Sequence, residues 1–160
     1  MSWVEDRLEI FNLIASYSHA ADDGTPQDYA DCFTEDGAFH GRVGQPDEMH
    51  VTGREALLTF AQRAVAMRSR LQNRHIQTNT QILEQTATRA HARTYLLVMQ
   101  TIGETAPIPA LTSVYEDRLL KTERGWRIEL RRALPDRKGV LRPKPDAVRP
   151  EGGKSEGGKP

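Results

Sequence analysis

The sequence predicts an α+β domain in which helices pack on one face of an antiparallel sheet. Three observations point there. Apolar residues recur at helical spacing in the first half of the chain. Long stretches enriched in Thr, Ile, Val, Tyr and Trp fill the second half. No helical pattern separates those stretches, which argues against parallel βαβ units. A chain of 160 residues is long enough for one such domain with a sizeable core.

Each element has its own signal. Ile10, Leu13, Ile14, Tyr17 and Ala21 follow the i, i+3, i+4, i+7 pattern of an apolar helical face. That first helix should stop at Asp22-Asp23-Gly24-Thr25-Pro26, a dense cluster of turn formers. A short helix over Gln27–Phe33 follows, with Tyr29, Cys32 and Phe33 turned inward. Thr34-Glu35-Asp36-Gly37 breaks the chain before a strand over Ala38–Val43. Thr52-Gly53-Arg54-Glu55 fits the S/T-x-x-E capping box and opens a helix striped by Leu57, Phe60, Ala61, Ala64 and Leu71. Strands are predicted over Arg74–Leu83, Arg89–Ile102, Ala110–Lys121 and Trp126–Ala133. The polar breaks Glu84–Thr88 and Thr122–Gly125 suit hairpin turns. The strand over Arg89–Ile102 carries apolar side chains on both faces, which suits a second buried surface. The domain therefore spans residues 1–134. Residues 135–160, PDRKGVLRPKPDAVRPEGGKSEGGKP, hold too few apolar groups to offset the entropy of ordering and read as a largely disordered tail.

Composition narrows the function classes. Lys plus Arg and Asp plus Glu number 22 each, so the formal net charge of zero argues against a general nucleic-acid or membrane-surface binder. A single cysteine, Cys32, excludes an internal disulfide and a CxxC metal site. No HxH or HxxxH pair is present, so no metal is expected. GxGxxG and Walker patterns are absent too, and no nucleotide cofactor is expected. No apolar run reaches the roughly 18 residues of a membrane span. The acidic, amphipathic N-terminus is unlike a signal peptide, so a cytoplasmic location is expected.

The informative residues are polar ones at positions where apolar ones belong. Tyr17 lies on the inward stripe of the first helix, and Asp22 and Asp23 stand where that helix stops. His75 opens a strand, and strand alternation puts Asn79 on its side two pleats later. A carboxylate beside a histidine fixes the imidazole tautomer and raises its basicity, making a general base. A tyrosine can donate to a substrate oxygen, and an arginine such as Arg131 can stabilise developing negative charge. Each residue also has an ordinary structural reading: a backbone-bonded histidine, a helix-ending turn, a core tyrosine, a solvated strand end. Alternation puts Arg131 with Arg127 and Glu129, which favours Arg132 on the apolar face unless a bulge intervenes. His91, between two alanines, is a further inward candidate.

In order along the chain, Leu13-Ile14-x-x-Tyr17, Asp22-Asp23-Gly24 and Tyr29-Ala30-x-x-Phe33-Thr34-x-Asp36-Gly37 resemble the opening of SnoaL-like proteins of the nuclear transport factor two-like superfamily. Gly53-Arg54-Glu55, Arg74-His75-x-x-x-Asn79, Tyr115-x-Asp117 and Gly125-Trp126-Arg127-Ile128 running into Arg131 continue the likeness, which covers Val4 to Ala133. The resemblance implies a cone-shaped, cystatin-like α+β barrel: a curved antiparallel sheet wrapped around N-terminal helices, with a deep apolar pocket. The polar set looks most like that of scytalone dehydratase, hexachlorocyclohexane dehydrochlorinase and bile-acid 7α-dehydratase. In those enzymes a histidine on this strand pairs with an aspartate at the end of the first helix. His75 matches the histidine, and Asp22, five residues after Tyr17, matches the aspartate better than Asp23 does. Tyr17 matches the dehydratase tyrosine and Arg131 a pocket arginine.

The resemblance thus implies a cofactor-independent lyase, foremost a dehydratase acting on a mostly apolar cyclic substrate of polyketide, terpenoid or steroid type. Its catalytic set would be Tyr17, Asp22, His75 and Arg131, with Asn79, Phe33, Tyr115 and Phe60 against the substrate. Members of this fold usually form homodimers or homotrimers. The alternatives are the non-catalytic small subunit of a ring-hydroxylating dioxygenase, and a cyclase- or isomerase-like member of the same superfamily.

Overall fold

The computed structural model describes residues 2–136, so the expected tail lies almost wholly outside the described residues. In chain order the elements are α1 (Trp3–Asp22), α2 (Pro26–Asp31), β1 (Phe33–Gly41), β2 (Met49–Thr52) and α3 (Arg54–Met67). Four long strands follow: β3 (Leu71–Gln85), β4 (Arg89–Ile102), β5 (Ile108–Thr122) and β6 (Gly125–Pro135). They form one six-stranded sheet in the order β2-β1-β6-β5-β4-β3. The expected α+β class holds. Its hairpins pair antiparallel as predicted, and one pair, β1 with β6, runs parallel.

Helix α1 starts where its N-terminus is doubly capped. Ser2 accepts from the Glu5 backbone, and the Glu5 side chain accepts from the Ser2 backbone. It lays Ile10, Leu13, Ile14 and Tyr17 on the inner sheet face, with Ala20 more deeply buried than the expected Ala21. There they meet Ile82, Ala92, Leu96, Leu119, Trp126 and Ile128, the apolar alternates of β3 to β6. On the opposite face Ile76, Leu83 and Tyr95 stay exposed. α2 begins at Pro26 behind the Thr25–Asp28 capping box.

Local rules give way in four places. The Thr52–Glu55 capping box does not form: Thr52 is held in β2 opposite Ala38, and Gly53 at φ 82° turns the chain into α3 without a side-chain cap. β2 itself carries no sequence signal that marked it. Thr34–Gly37 does not interrupt the chain but forms an irregular stretch within β1, where the pairing with β6 slips. An added Cβ at Gly37 would lie 2.9 Å from the Ile128 carbonyl oxygen, so only glycine permits that approach. Leu71 leaves the α3 stripe and opens β3.

Two bulges decide what faces inward. In β6 the register with β5 shifts around Glu129, so Trp126, Ile128 and Arg131 all point to the core. In β3 the register with β4 shifts between Thr78 and Gln81, where Asn79 adopts φ 54°.

Candidate active site

The end of α1 and the start of β3 meet at one point. Asp22 is the last residue of α1, and His75 is the fifth residue of β3. The Asp22 Oδ2 atom accepts the His75 backbone N–H at 2.8 Å, while Oδ1 lies 2.5 Å from His75 Nδ1. Both carboxylate oxygens therefore hold one residue. Nδ1 carries the proton toward Asp22, and Nε2 is left as the basic nitrogen. The side chains are 7% and 20% exposed, so the carboxylate is sealed while the ring reaches an opening. Asp23 does not share this place; it sits outside, on Arg74.

That opening is a cavity of about 180 Å³ under α1, α2 and α3. His75, Asn73 and Arg68 line one part of it, and Tyr17, Tyr29 and Tyr115 another. Phe39, Phe60 and the small side chains Ala20, Ala21, Ala61 and Ala64 complete its wall. The hydroxyls of Tyr17 and Tyr29 are 3.3 Å apart. The Tyr17 ring packs edge-on to Tyr115 at 5.9 Å. Burial raises the Tyr17 and Tyr115 hydroxyls well above the usual 10 and pushes Tyr29 up as well. All three keep their protons near neutral pH and act as hydrogen-bond donors. Larger concavities, about 620 Å³ beside α1 and α2 and about 750 Å³ across β4 to β6, contain neither His75 nor Tyr17.

Of the residues predicted from sequence, Tyr17, His75, Tyr115 and Phe60 line the cavity, and Asp22 stands directly behind His75. Three are placed elsewhere. Asn79 is exposed, because the bulge with its left-handed backbone breaks the alternation that would have put it beside His75. Phe33 is buried against Tyr17 and Tyr29 with ring centroids at 6.0 and 5.5 Å, one layer behind the cavity wall. Arg131 does reach the inner face, and Arg132 turns out to Glu116. Arg131 lies behind the tyrosines rather than in the cavity. Its Nε and Nη2 donate to Asp117 at 2.8 and 2.7 Å, and both residues are 0% exposed. Its guanidinium stacks 4.0 Å from the Tyr17 ring and 4.3 Å from Tyr115. Burial works against this charge, but the Asp117 carboxylate outweighs it and holds the guanidinium protonated. His91 does not line the cavity; it joins the outer concavity.

Sequence reasoning did not single out three residues of the wall. Tyr29 has the inward placement that its helix predicts and is part of the core as well as of the wall. Asn73 lies two residues before His75 on the same face, a signal that alternation offers. Arg68 follows α3 and reads in sequence like any solvated cation. Its Nη1 donates to the Gly24 carbonyl at 2.6 Å, and its Nη2 to Ala20 and Ala21 at 3.3 and 3.1 Å. It thereby satisfies the orphan carbonyls at the end of α1, where Asp22 emerges. Cys32 is no nucleophile candidate, because burial pushes its thiol up to about 11. Among the described residues no group of three or more His, Cys, Asp or Glu could hold a metal ion. No helix among them is long and apolar enough to cross a membrane.

Comparison with known proteins agrees with this architecture. Residues 3–132 match the SnoaL-like domain family, and the chain belongs to it. Rv3472 of Mycobacterium tuberculosis, described as a function-unknown protein, is 31% identical with a TM-score of 0.72, covering 84% of this chain and 73% of its own. An NTF2-like protein with a cystatin-like fold from Novosphingobium aromaticivorans is 24% identical with a TM-score of 0.72, covering 82% of each chain. A Catenulispora acidiphila protein solved in complex with S-DNPA is 26% identical with a TM-score of 0.69, covering 82% of this chain and 94% of its own. No match was found among curated proteins.

Proposed function

We propose that this SnoaL-like protein is a cofactor-independent acid–base enzyme, a lyase that eliminates water from a small cyclic carbonyl compound. The observation that carries the reading is the two-point clamp of Asp22 on His75 at the wall of an aromatic cavity. Asp22 orients the imidazole and stabilises the imidazolium that forms. His75 Nε2 takes a proton from the carbon beside the carbonyl, and the electron pair moves onto the carbonyl oxygen. The cavity tyrosines are the donors for that oxygen; their raised pKa values keep them in the donating form. Return of the electron pair forms the double bond and expels the hydroxyl from the neighbouring carbon. The proton held by His75 leaves with it as water, which restores the enzyme.

Cavity size narrows the substrate class below that inferred from sequence. A volume of about 180 Å³ is close to the roughly 150 Å³ of a cavity that accepts benzene. One six-membered ring with small substituents fits within it. That the similar Catenulispora acidiphila protein was solved in complex with S-DNPA supports a ligand-binding role for this chain.

The test is deuterium uptake from heavy water by 3-hydroxycyclohexanone and related single-ring hydroxy-ketones, followed by mass spectrometry. Uptake or dehydration should fall by on the order of 10²–10⁴-fold in His75→Ala. Uptake unchanged in the variant would sink the role of His75. Uptake without elimination would move the protein to the isomerases or cyclases.

A further inference from the structure

We propose that Arg68, and not Arg131, is the cation that stabilises negative charge on the substrate oxygen in this cavity. The inference rests on the acid–base reading above and assigns the charge-stabilising part of that same site.

The two guanidiniums differ in what already neutralises them. Arg131 faces a full carboxylate through two hydrogen bonds, and its planar faces are covered by Tyr17 and Tyr115. A substrate oxygen has no route to it while those rings stand. Arg68 lines the cavity directly, together with Tyr17, Asn73 and His75. It forms no ion pair with a carboxylate among the described residues; its partners are the carbonyls of Ala20, Ala21 and Gly24. Those carbonyls are the negative pole of α1, equivalent to roughly half an elementary charge. Such partial charges offset the guanidinium less fully than the carboxylate of Asp117 offsets Arg131. Its Nε is buried with no partner, as is Nη1 of Arg131, but of the two guanidiniums only that of Arg68 lines the cavity.

The surroundings leave the remaining charge facing the cavity. From α1, Asp22 is turned to His75, and Asp23 is turned out to Arg74. From β3, Asn73 is neutral and His75 presents its ring rather than the carboxylate behind it. From α2, β5 and β1, the wall consists of Tyr29, Tyr115 and Phe39. In such an apolar setting a partly compensated cation acts strongly on an oxygen that gains charge when His75 removes a proton. The same side chain holds the end of α1 from which Asp22 projects, so one residue braces the base and balances the charge that the base creates.

The probe is 4-nitrophenol, a single-ring phenol whose ionised form absorbs in the visible, titrated over pH against the full-length protein. The bound phenol should ionise about one pH unit lower than the free compound, a tenfold preference for the phenolate. Arg68→Gln should abolish that shift, and Arg68→Lys, which keeps the charge, should retain most of it. His75→Ala should leave the shift in place. A shift that survives in Arg68→Gln, or none in the unmodified protein, overturns the proposal. A measurement without variants guards against misfolding: benzoate should bind at least tenfold more tightly than the isosteric, neutral benzamide. Equal affinity, or a preference for benzamide, also overturns it. Neither readout needs turnover. An ionisation shift that tracks Arg68 without any proton exchange would discard the lyase and keep the cation site. Exchange that depends on His75 while the phenol shift ignores Arg68 would do the reverse.

Discussion

Two aspartates on α1 make the same choice of burial and reach opposite ends. Asp6 and Asp22, about 24 Å apart along the helix, are 5% and 9% exposed. Asp6 sits in the first turn, where the helix pole is positive. It accepts from the Trp126 indole at 2.9 Å and the Lys121 ammonium at 2.6 Å. Lys121 first, then Trp126, hold its carboxyl below the usual range. Every partner there is permanently charged or permanently neutral, and Asp6 lines none of the concavities described above. Asp22 sits at the other, negative pole, as the last residue of the helix. Both of its donors belong to His75, whose imidazole can accept and return a proton, and a cavity lies on the far side of that ring. A buried carboxylate with a fixed cation ties elements together; one with a titratable partner beside an opening can do chemistry.

The sharpest way to break this comparison is to remove one charge at a time. Asp22→Asn should cost on the order of 10²–10⁴-fold in proton abstraction, because the amide no longer favours the Nδ1–H tautomer or the imidazolium. Asp6→Asn should leave that rate within a few-fold and instead lower the melting temperature by on the order of 5–10 °C. Deuterium exchange and thermal melts on both variants decide it. Equal loss of activity in the two would mean that Asp22 is merely another structural carboxylate.

A third carboxylate sharpens the same contrast. Asp117 resembles Asp6 in facing a fixed cation, but it is sealed completely with Arg131. Asp117→Asn leaves a guanidinium buried without a counter-charge, at a cost of about 3–5 kcal/mol. Replacing both partners by apolar residues, Asp117→Leu with Arg131→Met, should recover much of that loss, as urea titrations would report. A double variant as unstable as the single one would show that the tyrosine stacking, not the ion pair, is what the core needs.

How far the site was legible follows from the kind of signal each residue carries. Tyr17 and Asp22 lie on a strongly periodic helix closed by a cluster of turn formers, so their placement needed only local rules. His75 lies on a regular stretch of β3 before any bulge. Arg131 and Asn79 lie beyond bulges, and one inserted residue reverses which face a side chain takes. Nothing in the local sequence marks either insertion, which is why Arg131 was placed inward only through resemblance. Arg68 was illegible for another reason. It binds main-chain carbonyls, which every residue has, so its partners leave no trace in residue identity. β2 is short, paired on one side to β1 and largely exposed, and so lacks the alternation that marked its longer neighbours.

The smallest effect concerns the two ends of the pH scale, and it separates the regions once more. Stability from Asp6 is present above the ordinary carboxylate range and is lost as pH falls through its lowered pKa. The cavity end works in the other direction. Tyr17, Tyr29 and Tyr115 have folded pKa values above the usual 10, chiefly through burial. Below about pH 10 the folded and unfolded chains both hold these protons, and the tyrosines contribute no pH dependence. Above it the unfolded chain releases protons that the folded chain keeps, so stability falls as pH rises. Each tyrosine contributes a slope of up to about 1.4 kcal/mol per pH unit. Urea titrations from pH 8 to 11 should therefore show a first decline near pH 9, where the unfolded chain releases the Cys32 proton that the folded chain keeps, and a steeper one near pH 10. In a Tyr95→Phe background, which removes the one exposed tyrosine, phenolate absorbance should appear together with unfolding rather than before it. Tyr29→Phe should lower the extra slope that sets in near pH 10 by about one third, because it removes one of the three buried tyrosines. Phenolate absorbance from these residues in the still-folded protein would mean that water reaches the cavity freely, and the tyrosines would then be poor donors to a substrate oxygen.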